Sequence, residues 1–127
     1  MQTKLLHVQK AVYGLLSAST LLPALYDEVP EETAFPYLTI GEFTEERFDT
    51  MGIYGSEITF NLHVWSQYRG FKECYGYLTV IDGLLDYANI TSTGFTNIFI
   101  RNEMVNTFID PDGVTRHLVT RYRTVVQ

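Results

Sequence analysis

Leu5, Val8, Val12, Leu15 and Leu16 recur at three- and four-residue spacing, so the sequence predicts an amphipathic helix over Thr3 to Ser17. Ser17–Ser19 read as its exit, and Leu21–Leu25 as a segment packing back on the core. Pro30, within the acidic stretch Asp27–Glu32, breaks structure before Phe35-Pro36-Tyr37 opens a strand expected to run to Phe43. Glu45 to Gly55, polar and holding Gly52 and Gly55, reads as a long exposed loop. Ser56 to Ser66 then alternates. Ile58, Phe60, Leu62 and Val64 point one way, and Glu57, Thr59, Asn61, His63 and Trp65 the other. A second helix follows from Phe71 to Tyr87, with Phe71, Cys74 or Tyr75, Leu78, Ile81 and Leu85 as its stripe and Gly76 and Gly83 allowing close approach to the sheet. Ile90 and Gly94 fall in a turn-rich connection. Two last strands, Asn97 to Ile109 and Val114 to Val126, flank Asp110-Pro111-Asp112-Gly113, where Pro presets φ and Gly accepts a positive one. The order α-β-β-α-β-β predicts an α+β fold: an antiparallel sheet of about four strands, packed on one face by two helices, with a long mobile loop.

The 127 residues are expected to form one domain, 1–127, large enough for a single core. Nine Tyr, eight Phe and one Trp suit a Tyr-rich sheet surface or an assembly surface equally. One cysteine, Cys74, excludes an internal disulfide and sits in an apolar stripe, as a small buried hydrophobe does. Neither a signal peptide nor an apolar run of about 20 residues is visible, so no membrane partner is expected. The net charge of −6 is unevenly spread. Nine carboxylates between Asp27 and Glu57 face one basic residue, Arg47, whereas Val114 to the end carries Arg116, Arg121 and Arg123 and no acid. Such polarity orients association and argues against a dedicated nucleic-acid binder.

No catalytic constellation emerges. His7, His63 and His117 lack metal-ligand spacing with each other or with Cys74, and His63 and His117 read as exposed ladder positions. No phosphate-binding loop or nucleophile elbow occurs. The acids from Glu42 to Asp49 sit in a segment that promises no burial, so none is expected to gain the raised pKa that general acid catalysis needs. Asp110-Pro-Asp-Gly has too few ligands for calcium. No enzyme activity, metal or cofactor is expected.

Several segments together resemble a known family. They are Val29-Pro30 after the first helix, Ala34 to Glu42 (A-F-P-Y-L-T-I-G-E), His63-Val64-Trp65-Ser66 followed by Arg69-Gly70, and the final Asp112-Gly113…Arg116-His117 hairpin. In this pattern the chain resembles the tail terminator, or tail-completion, proteins of long-tailed phages and prophages with non-contractile tails. The resemblance implies a structural virion protein, assembled in the host cytoplasm and located at the head-proximal end of the tail. There, as a ring (usually a hexamer, sometimes monomeric until assembly), it stops tube polymerisation and provides the head-to-tail joining surface. It implies as partners further copies of the chain, the tail tube protein, the head connector or stopper protein, and DNA passing through without specific binding. A head-completion, connector-stopper or other neck adaptor is the alternative. The docking residues it implies are Glu45, Glu46, Arg47, Asp49, Met51 and Tyr54 in the loop. Ring contacts fall on Trp65, Arg69, Arg121 and Arg123.

Overall fold

The computed structural model describes residues 3–50, 53–92 and 95–126. The elements, in order, are α1 (Leu5–Ser17), β1 (Leu25–Tyr26), β2 (Tyr37–Thr50), β3 (Ile53–Ser66), α2 (Lys72–Leu85), β4 (Asn89–Ser92), β5 (Phe95–Ile109) and β6 (Arg116–Val126). They build an α+β fold with one six-stranded sheet of order β1-β2-β3-β6-β5-β4. The four expected long strands form its middle and are antiparallel. The expectation of about four strands falls short by two short edge strands: β1, parallel to β2, and β4, antiparallel to β5. Two-residue β1 carries no periodicity to read, and β4 takes up Ile90, expected in a turn.

The alternation read in β3 sets the layers. Ile58, Phe60, Leu62 and Val64 are fully buried, with Leu38 and Ile40 of β2, Ile100 of β5, and Leu118, Tyr122 and Val126 of β6. Against them pack Val8, Val12 and Leu16 of α1 and Cys74, Ile81 and Leu85 of α2, and the two helices touch each other. Each fully buried large side chain contributes about 1.5–3 kcal/mol, against a propensity cost of about 1 kcal/mol for each helix glycine. The core therefore carries Gly14, Gly76 and Gly83 without difficulty. Gly76 and Gly83 do not serve close packing as expected, since a Cβ at either would meet nothing within 4 Å. Among the described residues no helix lies over the opposite sheet face.

Within the expected loop at 45–55, residues 45–50 and 53–55 are instead the paired strands of an arm, and 51–52 lie outside the described residues. The β2–β3 ladder runs from Thr44↔Thr59 through Glu45↔Ile58 to Thr50↔Ile53, so its polar residues spend their backbone groups on cross-strand hydrogen bonds. Among the described residues β6 pairs with β3 as far as Ser56↔Val126, which leaves residues 48–50 and 53–55 as a two-stranded extension past it. Pairing decides here, not hydropathy. The Asp110–Gly113 turn forms as expected: Gly113 N–H donates to Asp110 C=O at 2.9 Å, and Gly113 has a φ of 74°. Asp112 accepts from the Val114 and Thr115 N–H groups and the Thr115 hydroxyl, which occupies its carboxylate in the turn.

Candidate interaction face

The uncovered sheet face carries two rows of side chains. Register places Tyr37, Trp65, His117 and Phe108 side by side across β2, β3, β6 and β5. Trp65 stacks on His117 with centroids 3.7 Å apart and planes 12° apart; Tyr37 stacks on Trp65 and Phe108 tilts onto His117. The indole N–H donates to Thr39 Oγ1 at 3.1 Å, satisfying the polar tip of a half-buried ring.

Beside this row lies an acid–imidazole chain. A bulge between Gly41 and Thr44 puts one extra residue into β2, and Glu42 takes a φ of 51° there. That left-handed backbone is costly for a non-glycine residue and re-aims the side chain, so that Glu42 reaches the open face while Phe43 stacks on core Phe60. The Glu42 carboxylate lies 2.8 and 2.9 Å from His63 Nε2 and accepts from Asn61 Nδ2 at 2.6 Å. His63 Nδ1 is 2.6 Å from His117 Nε2. With the carboxylate ionised, His63 Nε2–H donates to it, and His63 Nδ1 is left to accept from His117 Nε2–H. Burial raises the Glu42 carboxyl, but the hydrogen bonds from Asn61 and His63 and the nearby imidazoles bring it below its ordinary value. Burial, then the charge of His63, lowers His117, opposed by Asp110 and Glu42. The two histidines are thus partly buried, linked groups, not the separate exposed ladder positions expected. The sequence signal was H-x-W on β3; its partner on β6 needed a register across 54 residues.

The second row is ionic. Arg123 binds Glu57 and, at 2.5 Å, Glu103, and Arg121 reaches Glu103 at 2.7 Å. Glu103 also sits at a bulge, between Asn102 and Met104. Hydrogen bonds and charge from both arginines lower its carboxyl despite some burial. A cavity of about 260 Å³ lies alongside, lined by Phe99, Arg101, Asn102, Glu103, Arg123 and Val125.

Of the residues expected in contacts, Trp65, Arg121 and Arg123 therefore share this face, Trp65 in the aromatic row and the arginines in the ionic one. Glu46 joins them at a small cavity of about 70 Å³ with Thr44, Glu57, Thr59 and Arg123. Arg69 stands apart, exposed in the connection after β3. Glu45 points to the helix side. Its carboxylate accepts from Thr3 Oγ1 at 2.8 Å and from the Lys4 backbone N–H at 3.1 Å, holding the start of α1. Arg47 is exposed on the arm. Asp49 and Tyr54 face each other across the ladder, but their side chains, and Met51 altogether, lie outside the described residues. Among the described residues no cluster of three or more His, Cys, Asp or Glu could hold a metal ion, and no helix is long and apolar enough to cross a membrane.

A family model described as "Tail completion protein gp17" matches residues 7–127. The tail completion protein gp17 of Bacillus phage SPP1 is 26% identical over 123 residues, covering 94% of this chain and 91% of that protein. A chain in the solved virion of a native gene transfer agent particle superposes with a TM-score of 0.84 at 17% identity. That match covers 94% of this chain and 93% of the other, and shows a shared fold.

Proposed function

Because the chain belongs to the tail completion protein gp17 family, and so is a structural component of the virion tail, we propose that it closes the head-proximal end of the tail tube as a ring. In this reading the ring stops tube polymerisation and presents a joining surface to the head connector. The observation that carries it is the two-sided body: helices cover one sheet face, while the other leaves an aromatic and an ionic row open beside a hairpin arm. A closed ring needs two different patches on one monomer, and this asymmetry offers them. Glu46, Arg47, Asp49 and Tyr54 on the arm, together with Met51, are the proposed docking residues. Trp65, Arg69, Arg121 and Arg123 are the proposed ring contacts; Glu45 supports the arm from behind. The acidic balance of the chain would let DNA pass the ring without sticking.

Negative-stain imaging of the protein mixed with purified tail tubes tests the role. A ring or knob at one end only, with elongation halted, is expected. Unaltered tubes beside a protein that co-sediments with portal complexes would reverse the assignment in favour of the head side of the neck. Tight DNA binding by the assembled ring at low salt would remove the passive-lumen part.

A further inference from the structure

Arg101, on the open face, has only neutral partners. Its guanidinium lies 4.8 Å from the Tyr87 ring centroid and donates to the Tyr87 hydroxyl at 3.2 Å. Register sets it directly opposite Arg123, and the two arginines line the cavity of about 260 Å³ together with Glu103, Phe99 and Val125. This cavity therefore holds two cations to one carboxylate. The other acids near Arg123, Glu46 and Glu57, lie on its β2 and β3 side. The apolar walls Phe99 and Val125 are 39% and 40% exposed. Like charges directly opposed across a ladder are destabilising, so an incoming carboxylate is favoured here.

The acids that lack a cation stand on the other flank. Asp27, Glu28, Glu31 and Glu32 bracket Val29-Pro30 in the connection from β1 to β2. All four are exposed, and none makes an ion pair or side-chain hydrogen bond among the described residues. Thr33 Oγ1 donates to Pro30 C=O at 2.5 Å and Glu32 takes a φ of 60°, so the segment is shaped as a turn in advance of any contact.

We infer that this acidic turn of one copy seats on the Arg101–Arg123 cavity of the next, its carboxylates on the guanidinium groups and Pro30 against Phe99 and Val125. The inference rests on the ring reading. Three observations select a second copy as the occupant. Charge is complementary: the stretch 27–32 has four carboxylates and no base, and the cavity has an excess of one cation. The two patches lie on opposite flanks, because β1 is one edge strand of the sheet and β5 adjoins the other, β4. One copy cannot join them to each other, whereas a head-to-tail contact between copies does. They also start from one level along the strands. Tyr26 registers with Thr39, Thr39 with His63 and His63 with Val119, so Asp27 leaves β1 in the direction in which β6 runs on to Arg121 and Arg123. Copies rotated about an axis along the strands thus bring turn and cavity together at similar height.

Charge reversal on each side tests this. One variant is Arg101→Glu, which leaves Arg123 with a partner. The other combines Asp27→Lys, Glu28→Lys and Glu31→Lys, all exposed, and keeps Glu32 at its positive φ. Circular dichroism and melting temperature should stay near those of the parent for both. Assembly is read as ring formation on tail tubes and as sedimentation of the protein alone at low salt. Each variant by itself is expected to associate ~tenfold more weakly than the parent. The chain with all four substitutions should recover, and so should an equimolar mixture of the two variants, whose reversed patches match in alternation. Parent-like assembly by either folded variant, or no recovery when the substitutions are combined, would overturn the inference. Loss in Arg101→Glu alone would mean that another acidic partner fills the cavity, and would overturn the second copy as occupant. A parent that caps tubes together with variants that cap equally well would remove this contact and leave the tail role standing. A parent that self-associates through these charges but leaves tubes unaltered would do the reverse, and one that does neither would overturn both.

Discussion

His117 lies between Trp65 and the Glu42–His63 pair and resists protonation in the fold. The unfolded chain accepts that proton near the ordinary value of 6.5, so the group stabilises the fold above that pH and opposes it as pH falls through 6.5 and below. Glu42 adds a second loss further down, because its lowered carboxyl stabilises the fold only while ionised. Chemical denaturation at about pH 7 and about pH 5 should show lower stability at the acid value, and His117→Phe, which keeps an aromatic on Trp65, should reduce the difference. The other sensitive residue is Tyr122, fully buried, whose hydroxyl donates to Asp82 Oδ1 at 2.5 Å and whose pKa is pushed up by burial and then by Asp82. Asn102 Nδ2 joins the same Asp82 oxygen, tying α2 to the sheet. Tyr122→Phe should cost about 1–3 kcal/mol in a urea melt, since it leaves part of a buried polar cluster unpaired.

Among the elements, α1 has no capping bond from the Lys4 side chain; Thr3 Oγ1 accepts from the Leu5 N–H at 3.3 Å, and Glu45 accepts from the Lys4 N–H from the arm. Burial raises that carboxyl, while the Lys4 backbone, Thr3, Ser56 and the Lys4 charge bring it below its ordinary value. Glu45→Ala should destabilise by about 1 kcal/mol, the usual worth of a helix cap, and loosen the arm, read as faster amide exchange along residues 44–50. In α2, Gly76→Ala and Gly83→Ala should each raise stability by about 0.5–1 kcal/mol, because both positions are exposed and open to a Cβ. Both helices, the β3 alternation and the Asp-Pro-Asp-Gly turn were legible, because each rests on local periodicity or turn chemistry. The arm was not: Glu45, Glu46, Arg47 and Asp49 look like loop residues, and only the strand opposite makes them a ladder. The Glu42–His63–His117 chain was hidden for a related reason. It needs a bulge at Glu42 and a register between β3 and β6, neither of which leaves a mark in a single sequence.

For the whole molecule, core and arm are separable. The buried hydrophobic side chains on β2 and β3 end at Ile40 and Ile58, with Ser56 buried just beyond them, and Arg47 faces Ser56 directly. Replacing residues 48–55 by Asn-Gly would close that pair with a two-residue hairpin turn. The shortened protein should keep its thermal transition within a few degrees and lose co-sedimentation with tail tubes. A large drop in melting temperature would instead show that the arm belongs to the folding unit.

The contact between Trp65 and His117 also gives the protein its own optical probe. Trp65 is the sole tryptophan, so all indole emission arises at the open face. A protonated imidazole stacked on an indole quenches it, and a partner laid over the row would shift the emission to the blue. Titrating the unlabelled protein with acid, or with tail tubes, would therefore follow imidazole charge and surface occupancy in one cuvette.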